Sequence, residues 1–190
     1  MYFKLIIYAK LYIMKKIFFL SLSFFFALLI SSCASQSNLD PKLLEEITSN
    51  NQFTFMAERA NPTNNDVINV MNSLPNGASS RMLNLDYGYT VVLKEKEIEV
   101  TLPYFGRMYN PSYNTSKNSY RFTTKDFDLN KIQNKKGNWV YTIKPKDVQN
   151  GSEIYIEIYK NGKAYVSIDS NDRQPISYDG YVMKNEILKK

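Results

Sequence analysis

The sequence has no histidine, one cysteine, one tryptophan and seven glycines in 190 residues. Without histidine it lacks the commonest general base, the commonest metal ligand and the usual pH switch. With one cysteine it forms no disulfide within the chain, and zinc motifs built from Cys and His are excluded. There is no glycine-rich phosphate loop, no Gly-x-Ser-x-Gly elbow, and no serine followed three residues later by lysine. No apolar run reaches the roughly 20 residues that cross a bilayer as a helix. An excess of one charge is missing too. Of the 24 basic residues, Lys4, Lys10, Lys15 and Lys16 lie before Cys33, and no acidic residue does. From Cys33 onward the chain carries 24 less 4 basic residues against 18 acidic ones, which leaves no electrostatic footprint for nucleic acid.

What is present at the start is an address. Residues 17–30 form an uncharged apolar run of 14, preceded by Lys15 and Lys16 and followed by Ser31, Ser32, Cys33, Ala34 and Ser35. A positive segment, a short apolar run and a small-residue site, in that order, define a secretory signal peptide. Ile30-Ser31-Ser32-Cys33 resembles the lipobox of bacterial lipoproteins, with Ile in place of the commoner Leu. Small residues there give the peptidase and the lipid-transfer enzyme access to the backbone and the thiol. Residues 1–32 are therefore expected to be a signal peptide, removed so that Cys33 becomes a lipidated N-terminus. Residues 1–13 read as an over-extended start ahead of Met14-Lys15-Lys16. The small polar stretch to residue 39 is a tether.

Residues 40–190 are expected to be a single β domain, a length that supports a sizeable core. Asp40-Pro41 starts one short N-terminal helix, with Asp40 as cap and Pro41 in the first turn. Leu43, Leu44 and Ile47 form its apolar stripe, which ends near Asn50. After Asn51 the apolar period changes from 3.6 to 2. Phe53, Phe55 and Ala57 alternate with polar or wetter neighbours, as do Ile98, Val100 and Leu102, and Trp139, Tyr141 and Ile143. Ile154, Ile156 and Ile158 do the same, and so do Ala164, Val166 and Ile168. Strict alternation marks strands with one buried face. Further strands are expected at 80–85, 88–93, 119–124, 127–132 and 176–184. Asn161-Gly162 reads as a two-residue hairpin turn, with turns also at Pro75-Asn76-Gly77 and Lys135-Lys136-Gly137-Asn138. Residues 61–72 suit a helical turn or a strand. Nine or ten short strands at roughly ten-residue spacing predict an all-β antiparallel meander, either sandwich or barrel.

Chemical constellations are sparse. Asp126-x-Asp128-x-Asn130 begins like a calcium loop, but Lys131 stands where Gly is needed and Gly137 where Glu is needed. Asp169-x-Asn171-Asp172 fails the same way, with Gly180 at the Glu position, and reads as the turn before the last strand. Glu97 and Glu99 share a strand face, as a surface pattern requires. No metal site and no cofactor is expected. The densest candidate is Leu102-Pro103-Tyr104-Phe105-Gly106-Arg107-Met108-Tyr109, with Tyr113 and Tyr120 beyond it. Tyr104, Arg107, Tyr109 and Tyr113 are candidate ligand-binding residues, because Tyr rings stack on sugars or apolar partners while their hydroxyls hydrogen-bond. The same set equally serves to close one end of a β core.

Leu102-Pro103-Tyr104-Phe105-Gly106-Arg107 forms one recognisable block. Asn161-Gly162-Lys163-Ala164-Tyr165, running on to Asn171-Asp172-Arg173-Gln174-Pro175-Ile176-Ser177-Tyr178-Asp179-Gly180, forms another. With Phe53-x-Phe55-x-Ala57, they resemble the domain-of-unknown-function 4251 family of bacterial lipoproteins over most of 51–184. The 61–72 stretch, with Asn64-Asn65, is longer here than in that pattern. The resemblance implies a lipoprotein or secreted β domain and transfers no catalytic residue.

The function expected from these readings is a non-enzymatic, monomeric cell-envelope module. It would be anchored through Cys33, face the periplasm, and bind a small-molecule, glycan or protein partner. The competing readings are a carboxylate-dependent hydrolase of envelope polymers and a purely structural or assembly lipoprotein.

Overall fold

The alternating runs all become strands, as their apolar period requires. The computed structural model describes residues 14–16, 39–73, 78–109, 118–148 and 151–185. Residues 14–16 form a helical turn. The cleavage site and Cys33, the Pro75-Asn76-Gly77 turn and Tyr113 lie outside the described residues. In the body, helix α1 spans Pro41–Ser49, α2 spans Asn65–Asn72 and α3 spans Ala78–Leu83. The strands are β1 (Phe53–Pro62), β2 (Thr90–Lys94), β3 (Glu97–Leu102), β4 (Tyr120–Thr124) and β5 (Phe127–Gln133). They continue as β6 (Trp139–Pro145), β7 (Glu153–Ile158), β8 (Lys163–Ser170) and β9 (Arg173–Met183).

All nine strands join one antiparallel sheet in the order β4-β3-β2-β1-β9-β8-β7-β6-β5. β4 and β5 stand at opposite edges of that order yet are consecutive in the chain. Direction alternates across the sheet, so these two strands run the same way. The stretch 120–133 is thus one bent strand with its corner at Lys125-Asp126. Its first half pairs with β3 and its second half with β6. The Thr124 hydroxyl holds the corner by accepting from the Asp126 N–H at 3.0 Å, and Lys146 N–H donates to the Asp126 carbonyl at 2.9 Å. The bend brings the sheet's two edges together into a nearly closed barrel, which decides between the barrel and the sandwich.

Counting the bent strand once leaves eight strand positions around the core, a size whose interior side chains fill completely. Phe53, Phe55, Val91, Ile98, Val100, Tyr141, Ile143, Ile154, Ile156, Val166, Ile168, Ile176 and Tyr178 fill it here, all fully buried. Each such side chain contributes roughly 1.5–3 kcal/mol by leaving water. β9 approaches β1 so closely that a Cβ on Gly180 would collide with the Met56 carbonyl. The β1 register shifts between Ala57 and Arg59 beside this contact.

α1 closes one end. Asp40 accepts from Lys42 N–H at 3.0 Å, and Leu44 and Ile47 are buried against the core. The helix stops where Asn51 turns to φ 52°. Gln52 N–H then reaches the Ile47 carbonyl and Asn51 N–H the Thr48 carbonyl, a Schellman ending made with Asn.

Two expectations change and one open reading is resolved. Residues 80–85 are not a strand: helix α3 occupies Ala78–Leu83, where Arg81, Met82 and Leu83 are good helix formers. Strand-like contact there is confined to Asn84 and Leu85, which meet Arg59 and Glu58 of β1. Residues 61–72 resolve as β1's end and helix α2, whose Val67 N–H is capped by Asn64 at 3.2 Å. The Asn161-Gly162 turn has three loop residues, not two. Gly162 N–H bonds the Tyr159 carbonyl, Tyr159 N–H bonds the Lys163 carbonyl, and Gly162 takes φ 81°. That is a type I turn completed by a left-handed glycine. Asn134–Asn138 repeats it, with Gly137 at φ 81°.

Candidate functional site

The aromatic segment lies at the end of the barrel opposite α1. After Leu102 the chain leaves β3 and crosses the β8–β9 turn. Gln174 N–H donates to the Arg107 carbonyl at 3.1 Å, Tyr109 N–H donates to the Asp172 carbonyl at 2.8 Å, and Met108 bridges Arg173. The Tyr178 hydroxyl donates to the Pro103 carbonyl at 2.6 Å. Tyr104 folds back over the chain, its hydroxyl 2.8 Å from the Arg107 carbonyl and 3.1 Å from that of Gln174. This fold-back requires glycine at 106, where a Cβ would come 2.7 Å from the Tyr104 ring. The Leu102–Arg107 block and the Asn171–Gly180 block are therefore packed against each other.

Arg173 is the centre of this contact. It is 5% exposed, and its guanidinium lies 4.8 Å from the Tyr120 ring centre and 5.0 Å from that of Tyr104. The two rings meet edge-on at 5.8 Å. Arg173 Nη2 lies 2.8 Å from Asp172 Oδ2, and Ser170 donates to Asp172 Oδ1 at 2.9 Å. Burial raises the Tyr120 phenol from 10.0 to about 12, and it raises Tyr104 and Tyr178 as well. Burial also works against the Asp172 carboxylate. The bonds from Arg173 and Ser170 outweigh it and hold that group below its ordinary value. The result is a set of neutral phenols around a paired guanidinium.

The candidate residues thus separate. Tyr104 is half-buried and spends its hydroxyl on two carbonyls. Arg107 and Tyr109 stand at the rim, with Arg107 exposed and Tyr109 57% exposed. Arg173 was not singled out in the sequence, although it sits beside Asp172 in the second block.

The carboxylates are engaged elsewhere. Glu97 lies 2.7 Å from Lys94 and 3.6 Å from Lys125, and Glu99 lies 3.9 Å from Lys94. The hydrogen bond from Lys94 holds the Glu97 carboxyl below its ordinary value. Asp126, Asp128 and Asn130 form the corner and β5, with Asp128 paired to Lys146 at 2.6 Å. Among the described residues no three His, Cys, Asp or Glu side chains gather as a metal site.

Two grooves mark the surface. One, of about 450 Å³, runs along the outer face past Thr54, Met56, Thr90, Val92 and Met183. The other, of about 480 Å³, lies between α1 and the two glycine turns, against Leu44, Trp139, Ile158 and Tyr159. Beside it Lys131 Nζ lies 4.4 Å from the Trp139 ring centre and donates to the Thr48 carbonyl at the C-terminus of α1. A cation is favoured at that helix end. The same carbonyl accepts from the Tyr141 hydroxyl at 3.1 Å.

No curated protein matches the chain. A solved structure described as a DUF4251 family protein from Bacteroides eggerthii DSM 20697 shares 12% identity with it. The match covers 78% of this chain and 89% of that one, at a TM-score of 0.48. The family described as Domain of unknown function (DUF4251) matches residues 36–182, and the chain belongs to it.

Proposed function

We propose that this chain is a cell-envelope lipoprotein whose β body is a non-enzymatic binding module. Residues 1–32 direct export, Cys33 carries the lipid, residues 33–39 tether the body, and the body works as a monomer in the periplasm. The order of basic, apolar and small residues before Cys33 supports the anchor.

The observation that carries the binding role is the rim at the far end from the tether. Arg107 and Tyr109 are exposed on a segment made rigid by Tyr104, Tyr178 and Arg173. The barrel interior is filled with side chains, so recognition falls to the surface. An exposed Arg and Tyr on a stiff support are the residue types that dominate partner interfaces.

The test is a photo-crosslinking side chain placed at position 109 in cells, with Arg121 on the barrel wall as the control position. A discrete adduct at 109 that is absent at 121 and lost with Arg107→Ala is expected. Identical patterns at both positions would dismiss the rim as the binding surface.

A further inference from the structure

The end of the body that carries α1 has a composition of its own. The tether enters there: Leu39 N–H lies 3.4 Å from the Asn161 carbonyl, and a Cβ on Gly162 would meet the Leu39 side chain. The two glycine turns beside it carry Lys135, Lys136 and Lys160, followed by Lys163, with Lys42 in the first turn of α1. All five are exposed, and among the described residues none has an ion pair. Lys94, Lys144, Lys146 and Lys184, by contrast, are each paired with a carboxylate.

The carboxylates near the five lysines are Asp40, Glu45, Glu46 and Glu157. Glu46 is held by Lys184, Asp40 caps α1 and Glu157 accepts from the Asn134 and Asn138 amides with their charges intact, and Glu45 lines the groove at this end. Five lysines without an ion pair thus stand against three carboxylates without one among the described residues, which leaves this end positive by two. The groove of about 480 Å³ runs past Lys160, with Leu44, Glu45, Trp139, Ile158 and Tyr159 in its walls. An excess of ammonium groups beside a groove bearing Trp and Tyr matches an interface of anionic headgroups over acyl chains.

We infer that the α1 end is a membrane-contacting face that lies against an anionic phospholipid surface. Lys135, Lys136, Lys160 and Lys163 meet the headgroup phosphates there, and Trp139 and Tyr159 sit at the interface. The orientation rests on the Cys33 anchor proposed above. Six Cα steps separate Cys33 from Leu39, so an acylated Cys33 holds this end within about 22 Å of the membrane. The charge complementarity is independent of the anchor. The consequence is a fixed polarity in which the lysine end faces the lipid and the Arg107–Tyr109 rim faces away.

Trp139 is the chain's single tryptophan, so its fluorescence reports this face alone. The protein beginning at Cys33 is mixed with vesicles of phosphatidylcholine, with or without phosphatidylglycerol. Acrylamide quenching of Trp139 and vesicle flotation are both read. With phosphatidylglycerol, quenching should fall at least about twofold, and K135E/K136E/K160E should restore the phosphatidylcholine value. The variant R59E/R81E/R121E, which changes net charge equally at other exposed sites, should keep the protection. Equal quenching in both vesicles, or loss of protection in both variants, overturns the inference. Flotation with phosphatidylcholine alone separates out the anchor. If the protein does not float there, the acylation reading fails. The lipid face is then decided by whether phosphatidylglycerol recruits the chain and K135E/K136E/K160E abolishes the recruitment.

Discussion

The Arg173 guanidinium lies within 5.0 Å of the ring centres of both Tyr104 and Tyr120 and is bound to the carboxylate of its own neighbour, Asp172. Seventy residues of sequence separate Tyr104 from Gln174, whose carbonyl its hydroxyl approaches. This cluster joins the middle and C-terminal blocks of the family pattern. Breaking a buried ion pair by removing one partner costs roughly 3 kcal/mol or more. Arg173→Met should therefore destabilise the fold by about 3 kcal/mol in a urea titration. Arg173→Lys should recover less than half of that, because an ammonium group lacks the planar fork that reaches the carboxylate while lying near both rings. A loss below about 1 kcal/mol for Arg173→Met would remove the cluster from the account of stability.

The rim residues should behave differently. Tyr178→Phe deletes the bond to the Pro103 carbonyl and should cost about 1 kcal/mol. Arg107→Ala and Tyr109→Ala should change stability by no more than about 0.5 kcal/mol, since both side chains are exposed. Denaturation midpoints of the three variants check this. A large loss in either rim variant would show a packing role that the geometry does not contain.

Gly180 is required by the approach of β9 to β1 and not by an unusual φ. Gly180→Ala places a Cβ against the Met56 carbonyl, which belongs to backbone and cannot rotate away. The expected loss is about 3 kcal/mol, with the shift concentrated at the β1–β9 ladder in hydrogen exchange. Wild-type stability in Gly180→Ala would mean that the two strands lie further apart than described.

Alkaline pH should unfold the barrel before its buried phenols titrate independently. Burial raises Tyr120 from 10.0 to about 12 and also raises Tyr104, Tyr141 and Tyr178. A phenol whose folded value lies above its unfolded value favours folding below that unfolded value. Its contribution is lost as pH rises from about 10 through about 12. Phenolate absorbance of these four tyrosines should rise together with loss of near-ultraviolet circular dichroism. Full phenolate formation in a still-folded protein would contradict the burial.

Much of the wall was legible in the sequence because alternation is a local signal. Ile98, Val100 and Leu102, and likewise Ile154, Ile156 and Ile158, face inward as their period requires. Asp40 and Pro41 announced α1, and Gly137 and Gly162 announced their turns. The barrel's closure was not legible. It depends on Lys125-Asp126 bending a strand between two partners, and the break expected between 119–124 and 127–132 carries no sign that its halves pair with opposite edges of the sheet. Ala78–Leu83 misled because six residues are too few to separate a helical period from alternation. In the candidate site, Tyr104, Arg107 and Tyr109 could be named from composition. Arg173 could not, because an Asp-Arg pair in a turn reads as solvated until the 103–109 segment folds over it.

In the proposed function, export ends at Cys33 and leaves a lipid-bearing body. The most direct test is the intact mass and N-terminal peptide of the protein extracted from bacterial membranes. The account predicts a chain beginning at Cys33 with diacylglyceryl mass on that residue, and no such product from Cys33→Ala. A chain that retains residues 17–30, or one that begins elsewhere and carries no acyl group, would contradict it.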